Sequence, residues 1–88
     1  MTKPYISIEG LNARLEATVH RCIEKHVFDE LDEDFARKVA KQCQRIFEEF
    51  GARPHVLNCT ILGDKSGVQI YYQLGDYENV IEGKVSSA

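Results

Sequence analysis

Phe47-Glu48-Glu49-Phe50-Gly51-Ala52-Arg53-Pro54-His55-Val56-Leu57-Asn58-Cys59-Thr60-Ile61 is the stretch that decides the fold, because the spacing of apolar residues changes inside it. Upstream, Phe35, Val39, Cys43, Ile46/Phe47 and Phe50 recur at helical spacing. Gly51 is the residue that tolerates the left-handed conformation just past a helix end, and Arg53-Pro54 stops any continuation. Downstream the period is two. Leu57, Cys59 and Ile61 fall on one side and Val56, Asn58 and Thr60 on the other, so 55–62 is predicted as a strand.

Beyond it, Gly63-Asp64-Lys65-Ser66-Gly67 is a turn, and Val68-Gln69-Ile70-Tyr71-Tyr72-Gln73-Leu74 alternates again as the return strand of a β-hairpin. After Gly75-Asp76, Asn79 to Val85 is a more polar third strand. Towards the N-terminus, Leu15, Val19, Cys22/Ile23 and His26/Val27 form an amphipathic helical stripe from about Leu11. The acidic run Asp29 to Asp34 leads into the second helix, with Asp32 placed as its N-cap and acids in its first turn, where the helix dipole favours them. Tyr5-Ile6-Ser7-Ile8, behind Pro4, reads as a short opening edge strand. The predicted order is β-α-α-β-β-β, an α+β fold with two helices packed on a small antiparallel sheet, in a single domain over 1–88 with 1–4 and 86–88 frayed.

A chain of 88 residues buries a thin core, and small domains often gain stability by oligomerising, so a homodimer is expected. The formal net charge of −3 argues against nucleic acid or an anionic membrane as the main partner and leaves protein. The first ten residues lack the apolar stretch of a secretory signal, and no apolar run has the length of a membrane span. Cys22, Cys43 and Cys59 are odd in number and widely spaced, as expected of reduced thiols in a cytoplasmic protein.

Three motifs invite chemistry and each has a plainer explanation. Cys22 and His26 lie one helical turn apart with His20 nearby, but zinc needs three or four ligands and the other thiols fall on the core stripes of other elements. Buried thiols packed as small apolar groups account for all three cysteines, so no metal, cofactor or catalytic residue is expected. The acidic run at 29–34 fails as a calcium loop, since a loop begun at Glu30 puts Phe35 where glycine is needed and Lys41 where glutamate is needed. Arg37, Lys38, Lys41 and Arg45 make a basic stripe on the second helix, either an ordinary solvated face or a dock for an acidic partner.

The return strand carries Gln69, Tyr71 and Gln73 on one side and Val68, Ile70, Tyr72 and Leu74 on the other. Two readings fit. It is an edge that accepts a partner's strand through its backbone, or it is an ordinary central strand.

Over most of its length the chain resembles the small dynein light chain family. The residues that carry this are Lys3-Pro4-Tyr5-Ile6 ahead of Gly10-Leu11, Phe47-Glu48 followed by Phe50-Gly51, then Cys59, Gly63 and Gly67, and finally Ile70-Tyr71-Tyr72 with Leu74-Gly75. It departs in having Leu57-Asn58 where the family has Trp-His, and Glu33 where the family usually has Lys in the first turn of the second helix. The resemblance implies a non-enzymatic homodimeric adaptor, cytoplasmic and cytoskeletal or axonemal, that docks extended segments of partners such as a dynein intermediate chain by strand addition. Val68, Gln69, Ile70, Tyr71, Tyr72 and Gln73 would be its docking strand, and the first turn of the second helix, Asp32 to Ala36, with Glu33 and Phe35, would help wall the groove. Lesser resemblances connect Gln42-Cys43, Gly51 and Asn58-Cys59 with the t-complex type light chains. The helix ending in Gly51-Ala52 before a Cys-bearing strand is similar to the terminal domain of contractile phage tail sheath proteins, which makes a structural subunit of a viral particle the alternative.

Overall fold

The computed structural model describes residues 7–26 and 31–85. Two helices, α1 (Ile8–Lys25) and α2 (Glu33–Glu49), are followed by three strands, β1 (Val56–Ile61), β2 (Gly67–Leu74) and β3 (Tyr77–Lys84). This is the expected α+β class. The strands form an antiparallel meander in the order β1-β2-β3, with α1 packed over β3, α2 over β1, and the helices against each other.

The opening strand is corrected where the structure describes it. Ser7 is the N-cap of α1, its side chain accepting from the Gly10 amide at 3.1 Å, and Ile8 is already helical. Residues 1–6, with the rest of that expected strand, lie outside the described residues, as do Val27 and the acidic residues at 29–30. Asp32 caps α2 as expected, accepting from the Phe35 amide at 2.9 Å. At the other end Gly51 takes φ 68°, with Gly51 N–H bonded to the Glu48 carbonyl and Ala52 N–H to the Phe47 carbonyl. These two bonds satisfy the last turn's orphan acceptors and turn the chain towards β1.

Both apolar stripes face the sheet. Leu11, Leu15, Val19 and Ile23 from α1 meet Phe35, Val39, Cys43, Ile46 and Phe47 from α2 over Val68, Ile70, Tyr72 and Ile81, all of them buried. The strand register aligns Cys59, Ile70 and Ile81 in one row and Ile61, Val68 and Gly83 in the next on this side. Gly83 permits the close approach of α1, since a Cβ there would stand 2.5 Å from Val19 Cγ1 and 2.8 Å from Ile23 Cδ1. The opposite side of the sheet carries Asn58, Thr60, Gln69, Tyr71, Gln73, Glu78 and Glu82, which explains the polar half of each strand's alternation.

Candidate functional site: the edge of β1 beneath α2

β2 is paired along its whole length with β1 on one side and β3 on the other. Of the two readings of Val68, Gln69, Ile70, Tyr71, Tyr72 and Gln73, the structure therefore shows the central strand. Their backbone groups are used inside the sheet, and no edge is left for a partner. Tyr72 is fully buried, stacked edge-on against Phe47 with ring centres 5.0 Å apart, and its hydroxyl donates to Asn12 Oδ1. Burial, with the neighbouring Tyr77 adding, pushes the Tyr72 phenol up to about 12. Tyr71 points to the open side and donates to Glu78 Oε2 at 2.9 Å, which raises its own pKa.

Among the described residues the free edges belong to β1 and β3, and they differ. The Leu62 N–H donates to the Gly67 carbonyl, so residues 62, 60, 58 and 56 turn their backbone groups to β2. By alternation the N–H groups of Leu57, Cys59 and Ile61 point outward. On β3, the Val85 N–H donates to the Ser66 carbonyl, so the outward positions are Lys84, Glu82, Val80 and Glu78. Three of those four are charged, the usual protection of a sheet edge. β1 carries no charge and no proline over Val56–Ile61.

A groove runs beside this unprotected edge. One hollow of about 510 Å³ is lined by Glu33, Ala36, Arg37, Ala40 and the residues of β1 from Leu57 to Ile61. A second, of about 790 Å³, continues it past Ala40 and Leu57 to Phe47, Ala52 and Pro54. Ala36 and Ala40 are one turn apart on α2, and their small side chains keep the space open. Leu57, Cys59 and Ile61 are half-buried and supply its apolar floor. Arg37 stands at the rim, 3.9 Å from Glu33 and 3.6 Å from Asp34, exposed pairs that contribute little to stability. Glu33 thus lines the groove of this edge, whereas Phe35 is buried on the other side of α2 with its ring centre 4.4 Å from that of His26. Sequence reading had Ala36 in the wall of a groove along another strand and Arg37 in the basic stripe, and it overlooked Ala40, Leu57, Cys59 and Ile61. Their signal was an uncharged strand bounded by only one hairpin, beside a helix with small residues at i, i+4.

The thiols are held neutral. Burial pushes Cys43 up to about 12, with Cys59 and Cys22 adding, and pushes Cys59 up to about 11. Burial also raises Cys22, against the opposing pull of Lys25 and Arg21. A thiol so shifted holds almost no thiolate at neutral pH and is a poor nucleophile. Among the described residues no cluster of three or more His, Cys, Asp or Glu side chains is placed to hold a metal, and no helix is long and apolar enough to cross a membrane. Compared with known protein families, curated proteins and solved structures, the chain matches none.

Proposed function

We propose that the protein is a binding module that takes up an extended segment of a partner protein by strand addition along β1. What supports this reading is one observation: the uncharged edge of β1, with the N–H groups of Leu57, Cys59 and Ile61 turned outward, lies beside a groove wide enough for side chains. Backbone pairing supplies affinity, and alternate side chains of the incoming segment enter the groove under Ala36 and Ala40. Arg37 and Glu33 at the rim select among segments by charge. Such a module needs no catalytic group. A second copy's β1 meets the same donors, so self-pairing and partner binding compete for one edge.

The test is selection of linear peptides from a random library on immobilised protein, followed by binding to variants checked by circular dichroism. Cys59→Pro removes an outward donor without touching the ladder to β2, and Thr60→Lys places a charge beside the edge. Both should lose the selected peptides while staying folded. Peptides that bind both folded variants as tightly as the parent would place the docking surface elsewhere.

A further inference from the structure

The fold also brings together two rows of cations that are far apart in sequence. Arg14, Arg21 and Lys25 of α1 face Lys38, Lys41 and Arg45 of α2 across a furrow of about 610 Å³ on the side of the helices away from the sheet. Six of the chain's 11 Lys and Arg residues thus line one hollow, in a protein whose formal net charge is −3. Among the described residues, Glu49 is the only carboxylate in the lining, and it is held by Arg14 at 2.8 Å. Among the described residues, the other five cations stand in no ion pair.

Like charges gathered this closely repel one another and destabilise the free protein slightly, a cost removed when an anionic ligand is bound. We infer that this furrow between α1 and α2 docks a short acidic segment of a partner protein. Three features favour a single peptide over a larger polyanion or a lipid surface. Two helices in contact leave a furrow about one chain wide. Carboxylates stand on its far flanks, where Glu16 and Glu24 on α1 and Glu33 and Glu48 on α2, with Arg37 between the last two, fall on helical faces turned away from it, and a duplex or a bilayer would meet them. Among the described residues, the exposed large apolar side chains, Tyr77, Val80 and Val85, lie on or just after β3, and none stands on α1 or α2 to enter a membrane. Among the described residues the furrow offers single-stranded nucleic acid little to stack on, since Phe35 in its floor is buried and packed against His26. This surface is separate from the edge of β1, and its occupation does not depend on strand addition there.

The experiment measures anisotropy of a fluorescent peptide of alternating Glu and Ala, against its Gln-Ala counterpart, oligothymidylate, and phosphatidylcholine vesicles containing phosphatidylserine. The acidic peptide should bind saturably and weaken by about tenfold or more when salt is raised from roughly 20 mM to physiological strength. Lys38→Gln/Arg45→Gln on one wall and Arg21→Gln/Lys25→Gln on the other should each weaken it several-fold with unchanged circular dichroism. Thr60→Lys, on the distant sheet edge, should leave it intact. The inference is overturned if the Gln-Ala peptide binds equally well, if only one wall matters, if no saturable binding occurs at low salt, or if oligothymidylate or the vesicles are held more tightly.

Discussion

At the scale of single residues, Gly83 makes a sharp demand, because its missing side chain is what lets α1 lie against β3. Gly83→Ala would drive a methyl into Val19 and Ile23 and should destabilise by about 1–3 kcal/mol, measured by urea unfolding. The sequence showed this residue only as a dilution of the last strand's apolar face. The thiols were more legible, since Cys43 and Cys59 fell on the predicted core stripes, and both are held neutral by burial. An acid whose pKa is raised by folding contributes stability that is complete below its unfolded value and lost as pH rises through its folded value. Stability should therefore be insensitive to these groups at neutral pH and fall from about pH 9 upward, as Cys59, Cys43 and Tyr72 are forced to ionise. A denaturation series across alkaline pH checks this, and a flat profile from 8 to 11 would contradict it. Cys43→Ser should cost about 1–3 kcal/mol by burying a hydroxyl with no partner arranged for it.

At the scale of elements, boundaries were readable wherever cap chemistry accompanied a change of period. Asp32 and Gly51 were identified in the sequence, and both perform the roles expected of them. Asp32→Ala should cost about 1 kcal/mol and Asp32→Asn much less, because the asparagine oxygen still accepts from Phe35. Gly51→Ala places a side chain at positive φ and should cost about 1 kcal/mol as well. Thermal melts of the three variants separate these effects. Tyr5-Ile6-Ser7-Ile8 lacks such a change of period. Four alternating residues are too few to distinguish a strand from a chain entering a helix, and Ile8 also stands three residues before Leu11, at helical spacing. Ser7 was the available signal, since serine just before a helical stripe is a favoured N-cap.

At the scale of the whole molecule, periodicity located each strand but did not say which would lie in the middle. Turn length did. Two short connections, 62–66 and Gly75-Asp76, make a meander, and the second of three consecutive strands is then flanked on both sides. The most regular alternation, on Val68 to Leu74, marks burial between two neighbours and not an edge. The furrow between the helices was invisible for a different reason, because it joins a basic row from each helix and only one of the rows was conspicuous in sequence. β3 is guarded by Glu78, Glu82 and Lys84, whereas β1 offers three unguarded donors over an apolar floor, so any self-association should run through β1. Two copies related by a two-fold axis would pair their β1 strands antiparallel and extend the sheet across the dyad. The melting temperature of the parent protein should then rise with concentration in the micromolar range, and light scattering should report a dimer. In Thr60→Lys the dyad brings the two introduced charges near each other, so this variant should be monomeric with a concentration-independent melting temperature. Val80→Lys, on the edge already charged, should behave as the parent does. A dimer that survives Thr60→Lys but is lost in Val80→Lys would assign the seam to β3.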